Sequence, residues 1–268
     1  MSPTSPDPLR PGESFEDREV ARLYVHRPDY PTAVYDRLIE LAPGRGRLLD
    51  LGCGTGKIAR HLAGTFEQVT GLDASGEMLE VARTLPGGQA SNISWVHGLA
   101  ETAPLDGDPL DLIVAAASIH WLDHAVVFPR LRAAARENHT FAVVDGDGAH
   151  QPSWQAAWDE FLARWIYDLK GERYEPHRLD SPHAAQMNRY REWIDQIGET
   201  AIISPPVSQA VPDFVACQHS RDTFAPYKLG PRMTAFDREL TELLTPHAVD
   251  GRLSYSVRTK LTWGRIRA

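Results

Sequence analysis

Only two cysteines, Cys53 and Cys217, occur in 268 residues. That number cannot build a disulfide framework and fits a reducing compartment, so a cytoplasmic location is expected. No apolar run approaches the ~18 residues of a membrane span, so no membrane partner is expected. The opening MSPTSPDPLRPGES carries four prolines, serine and charge. It lacks the apolar stretch of a secretory signal and reads as a disordered lead-in over residues 1–14. A basic excess is missing as well. Lys and Arg number 28 against 36 Asp and Glu, a formal charge of −8. A phosphate backbone is ordinarily gripped by a basic face, so no nucleic-acid partner is expected. No internal repeat is found. What remains is an average globular composition, 42% hydrophobic and 24% charged, which excludes wholesale disorder and fibrous architectures.

Strand-like and helix-like segments alternate from Arg47 onward. RLLDLG is a short apolar run closed by glycine, Lys57–Leu62 starts a helix, and Gln68–Asp73 is a second strand. Ser75 is placed to cap the helix that carries Met78 and Leu79. Residues 93–96, 111–118 and 141–145 give three more strands, with a helix over 126–136. The continuous run DLIVAAAS suits a strand covered on both faces. This alternation implies right-handed crossovers and an α/β fold with a doubly wound, mostly parallel sheet. Trp154, Trp158, Phe161, Leu162 and Trp165 then fall on one helical face. Met187, Tyr190, Trp193, Ile194 and Ile197 repeat that spacing, so residues 150–198 are expected to form an inserted helical cap. Residues 199–268 complete the sheet, with a strand over 201–208, a helix marked by Phe236 and Leu240, and a long final strand. In that strand Leu253, Tyr255, Val257, Thr259, Leu261 and Trp263 alternate with wetter residues, which suits an antiparallel member. The expectation is one domain over 15–268 with seven strands, five of them parallel.

The strongest local signal is LLDLGCGTGK, residues 48–57. A strand ends in Gly52, Gly54 and Gly56, residues that permit a tight turn and close approach of a ligand to the backbone. A Walker A loop fails twice here, because Leu51 stands at its first glycine and Ile58 replaces its hydroxyl. A dinucleotide loop is weakened, because Lys57 occupies its third small position. The pattern Asp-x-Gly-x-Gly-x-Gly fits in full through Asp50, Gly52, Gly54 and Gly56. Asp73 ends the next strand, where a carboxylate can accept both hydroxyls of a ribose.

With LLDLGCGTGK, GLDAS followed by Met78 and Leu79, GLAETAP and DLIVAAASIHWLD, the chain resembles the class I S-adenosylmethionine-dependent methyltransferases. The opening YVHRPDYP and the segment CQHSRDTFAPYKLG are similar to the small-molecule branch, with its trans-aconitate methyltransferase-like and ubiquinone-biosynthesis-like enzymes. The resemblance implies S-adenosylmethionine as cofactor and a small-molecule substrate. It implies that Asp50 and the backbone of Gly52, Cys53 and Gly54 hold the methionine moiety. Asp73 takes the ribose, Met78 packs on adenine, and Ala100 lies along its edge. Gly56, Ala74, Leu99 and Ala116 complete the implied cofactor site. Two positions depart from the pattern: Leu99 replaces a frequent acid, and Ala117 a frequent glutamine.

Transfer from a sulfonium needs alignment and exclusion of water more than acid–base groups. His120 follows the fourth strand and has a suitable ordinary pKa, so it is the candidate catalytic base. Trp121 beside it, Tyr24 and Arg27 before the sheet, and Arg221 in the closing half are candidate substrate-binding residues. Tyr24 and Arg27 are expected in a segment folded over the cofactor. The triplets His120, Asp123, His124 and Asp145, Asp147, His150 have metal-like spacing, but solvation and turn chemistry explain them, and no metal is expected. His177, His183 and His219 add polar groups to the cap. The expected function is methyl transfer to a small-molecule acceptor. The alternatives are a non-methylating reaction such as cyclisation on the same fold, a non-enzymatic cofactor sensor, and nicotinamide-dependent reduction, which Lys57 disfavours.

Overall fold

The computed structural model describes residues 13–174 and 186–268. Residues 1–12 of the expected lead-in lie outside these, as do His177 and His183; Ser14, by contrast, is buried in a 3₁₀ turn, Glu13–Glu16. Five strands run parallel: β1 (Arg47–Leu51), β2 (Gln68–Asp73), β3 (Ile93–His97), β4 (Leu110–Ala116) and β5 (Ala135–Asp145). Their spatial order is β3-β2-β1-β4-β5. Two short strands, β6 (Ala149–His150) and β8 (Val207–Ala210), and two long ones, β7 (Ile194–Ile203) and β9 (Arg252–Ile266), follow. β9 pairs antiparallel with β5, and β7 closes the edge against β9, so seven strands form the main sheet. β6 and β8 pair with the first residues of β9, which project beyond the sheet.

Period-two alternation sorts the central strands between two cores. Leu49, Leu51, Ile113 and Ala115 face one side, with Phe128 and Leu131 from helix α5 (His124–Ala134). Leu48, Leu112 and Val114 face the other, with helices α2 (Thr32–Leu41) and α3 (Lys57–Leu62). Helices α1 (Arg18–Leu23) and α4 (Gly76–Thr84) pack against each other through Val20, Ala21 and Met78. Full burial of each large apolar side chain contributes about 1.5–3 kcal/mol, so β1 and β4, buried almost throughout, carry much of the stability.

A third core lies under helices from two separate stretches. One is α6 (Gln155–Lys170), carrying the expected aromatic face. The other holds α7 (Val211–His219), the single turn α8 (Pro226–Leu229) and α9 (Met233–Leu244). Phe161, Phe214, Phe236, Leu240 and the projecting part of β9 meet there. Two expectations are corrected. The helix expected over Met187–Ile197 is helical only to residue 188; a 3₁₀ turn, Arg189–Trp193, and β7 follow. Tyr190 and Ile194 belong to the first sheet core, and Trp193 stacks on Phe128 with ring centroids 5.7 Å apart, so the apolar spacing serves the sheet. The single strand expected over 201–208 is two, because Pro205 and Pro206 cannot donate to a ladder.

Candidate active site

The turn after β1 is built around its glycines. Gly52 and Cys53 donate their backbone N–H groups to Leu72 O at 2.8 and 3.0 Å, which folds the turn over the end of β2. Gly52, Gly54 and Gly56 all have positive φ. A Cβ on Gly52 would stand 2.5 Å from Ser118 Cβ, and Ser118 Oγ donates to Leu51 O, so the ends of β1 and β4 are held together. A Cβ on Gly56 would lie 2.3 Å from the Trp95 ring, so this glycine is a packing requirement. Gly54 is different, since nothing but Tyr24 at 4.0 Å stands near its absent Cβ.

This turn floors a cleft of about 290 Å³ at the carboxyl edge of the sheet. Gly52, Gly54, Asp73, Ala74 and Met78 line one side; Leu99, Ala100 and Ala116 line another. Tyr24, Arg27 and Trp121 also reach it. Phe15 bridges Tyr24 and Trp121 edge to face, at centroid distances of 6.4 and 6.0 Å, giving the cleft an aromatic roof. Ser75 ties roof to floor: its hydroxyl donates to Phe15 O at 2.6 Å and accepts from Met78 N at 3.1 Å, capping α4. Asp73 stands at the centre, one carboxylate oxygen accepting from Gly54 N at 2.7 Å and the other from Ser75 N at 2.8 Å. Burial raises its pKa, and these two hydrogen bonds oppose the rise.

Five expected site residues do not line the cleft. Asp50 is buried behind the turn, accepting from Ala59 N at 3.0 Å, while its other oxygen has no hydrogen-bond partner among the described residues. Burial pushes its carboxyl up to about 7, against the pull of the Ala59 hydrogen bond. Cys53 is buried and enters the turn through its backbone, and Gly56 packs on Trp95. His120 lies in the 3₁₀ turn Ile119–Trp121 with its ring 4.3 Å from that of Trp121. Arg221 reaches Asp147 at 3.3 Å and lines a separate cavity. His219 is also not a free polar group of the cap: buried, it meets Asp237 at 2.6 Å and Phe224 O at 3.1 Å. Sequence reasoning missed Phe15, Glu101 and Ser118. Glu101 stands in GLAETAP two residues after Leu99 and accepts from Asp123 N at 2.9 Å, whereas nothing local in the sequence marks Phe15.

Comparison with known proteins follows this geometry. The Methyltransferase domain family matches residues 48–146. The chain is 28% identical over 251 residues to trans-aconitate 2-methyltransferase of Paracidovorax citrulli, covering 81% of this chain and 94% of that one. It is a class I S-adenosylmethionine-dependent methyltransferase. The methyltransferase is also 29% identical over 189 residues to an uncharacterized methyltransferase of Mycobacterium tuberculosis, covering 69% and 72% of the two chains. Its fold matches the structure of a protein assigned as a type II methyltransferase from Anaeromyxobacter dehalogenans, with a TM-score of 0.69, 23% identity and coverage of 89% and 97%.

The methyltransferase's cleft suits the donor chemically. A carboxylate faces it at the end of β2, the Gly54 side is open where any other residue would place a Cβ, and buried Met78 offers an apolar surface. Leu99 is about half exposed at the rim and offers no polar side-chain group. Among the described residues no helix is long and apolar enough to cross a membrane.

Proposed function

We propose that the methyltransferase acts on a small-molecule acceptor, with the methyl donor held in the cleft between the β1 and β2 turns. The observation that carries this reading is the aromatic roof. Phe15, Tyr24 and Trp121 cover the cleft, and helices α6 and α7 wall a neighbouring cavity of a size suited to a small acceptor. Two similar proteins, from Paracidovorax citrulli and Klebsiella pneumoniae, are trans-aconitate 2-methyltransferases.

When bound, S-adenosylmethionine supplies a methyl group activated by its sulfonium for in-line displacement. The chain's part is to bind, orient and dry the site. Asp73 would accept the ribose hydroxyls while keeping its backbone donors, because each carboxylate oxygen has a second lone pair. The backbone at Gly52–Gly54 borders the methionine tail, and Asp50 holds the turn from behind through Ala59. Met78, Ala74 and Ala100 flank the adenine, with Leu99 at its rim and Ala116 below the reacting end. Tyr24 and Arg27 close over the donor. His120 is a positioning residue that supports Trp121, rather than a group that removes a proton.

The test is incubation with donor carrying an isotopically labelled methyl group and a fractionated extract. The reading predicts label in the fraction below protein and nucleic-acid size. Label confined to macromolecules would overturn it, as would consumption of extract components without incorporation of label.

A further inference from the structure

A second cavity of about 490 Å³, larger than the donor cleft, lies under α6 and α7. Trp158, Leu162, Phe214, Phe224 and Tyr255 supply apolar and mostly aromatic wall. Trp154 also lines it; this indole is buried, and its Nε1–H has no hydrogen-bond partner among the described residues.

A chain of ion pairs runs from one cavity to the other. Asp147, at the wall of the second cavity, pairs at 3.3 Å with Arg27, which lines the donor cleft, and at 3.3 Å with Arg221. Lys57 also acts on Asp147 and donates to the Arg27 and Pro28 carbonyls. Burial alone would raise the Asp147 pKa, but Arg221, Arg27 and Lys57 together hold it well below the usual carboxylate range. Two guanidinium groups thus pair with one buried carboxylate. Asp29 lies near Lys57, and the two line another pocket. Asp159, the other acid lining the cavity, accepts from Gln155. Of the Arg221 donors, Nε reaches Gln218 and one terminal nitrogen reaches Asp147. The remaining Arg221 donors favour an incoming anion, and a planar guanidinium suits a carboxylate.

We infer that this second cavity is the acceptor site and that it takes a molecule with a flat aromatic body and a single anionic group, the anion turned toward Arg221. The aromatic walls stack on the body. Asp159, the acid of the wall that is bonded to a neutral amide, disfavours a second negative charge, which sets the preference at one. This assignment rests on the methyl-transfer reading and specifies the acceptor within it.

The test uses 2-naphthoate and 2-naphthol, matched in ring system but not in charge. Each is titrated into the full chain with saturating S-adenosylhomocysteine, following tryptophan fluorescence and calorimetry. The naphthoate is expected to bind at least about 10-fold more tightly than the naphthol, in keeping with loss of a charge-assisted contact. Trp158→Ala should weaken naphthoate by about 10-fold or more through loss of stacking, and Arg221→Gln should bring the two probes together. Equal affinities in the unmodified chain would overturn the anionic preference. No naphthoate binding, or binding indifferent to Trp158→Ala, would overturn the site. S-adenosylhomocysteine is also titrated alone: its failure to bind would count against the donor reading, while naphthoate titrated without it still decides the cavity.

Discussion

Asp50 and Asp73 stand at the ends of neighbouring strands with different surroundings, and their chemistry diverges accordingly. Asp73 keeps both oxygens bonded at the cleft, whereas Asp50 is sealed behind the turn with one oxygen unpartnered among the described residues. Burial raises the Asp50 pKa from 3.8 to about 7. The folded chain therefore retains a proton that the unfolded chain has lost, and stability falls as pH rises from about 4 to about 7, then levels off. At about 1.4 kcal/mol per pH unit, the span amounts to a few kcal/mol. Asp50→Asn cannot ionise and should flatten this slope, which denaturant midpoints at pH 5 and pH 8 will check. His120→Ala separates support from base catalysis: a supporting ring costs less than about 10-fold in kcat, while loss of a general base costs 10²–10⁴-fold. Residue positions were legible where backbone geometry constrained the side chain, as at Gly52 and Asp73. His120 and Arg221 were less so, because a position after a strand does not say which cavity a side chain reaches.

At the scale of elements, capping and alternation carried most of the fold. β2, α3 and the Ser75 cap could be read from the chain because each rests on local chemistry: a period of two, a glycine stop, a hydroxyl acceptor. β7 could not, since its apolar residues match a helical period and only pairing with β9 makes them a strand. The roof was hidden too, because Phe15 reaches Ser75 across 60 residues. Ser75→Ala removes a cap and a roof contact at once. It should lower stability by about 1 kcal/mol and weaken S-adenosylhomocysteine by several-fold, read from thermal melts and calorimetry. Asp111 does comparable work at the opposite edge, accepting from Gly46 N and Arg47 N at 3.0 and 3.1 Å and pairing with Arg136 at 2.8 Å. Asp111→Ala strands two donors and should cost about 2–3 kcal/mol, measured by denaturant unfolding, with donor affinity unchanged in the folded protein.

For the whole molecule, the sheet supplies the cleft proposed for the donor, and the projecting end of β9 supplies the base of the helical layer. One strand thus links the two cores: Leu261 is buried in the sheet, and Leu253, Tyr255 and Val257 are buried under the helices. The sheet half was legible because it repeats one motif. The helical half was legible as an aromatic stripe and as the helix of Phe236 and Leu240 but not as one layer, since its second stretch follows β8 and meets α6 through tertiary contacts alone. The most direct test of the account is calorimetric titration of S-adenosylhomocysteine into the unmodified chain and into Asp73→Ala, with folding of both checked by circular dichroism. Saturable one-to-one binding that weakens about 100-fold or more in the variant is predicted, as removal of a charged partner to two hydroxyls would produce. Equal affinity in the two proteins, or no binding to the unmodified chain, would contradict it.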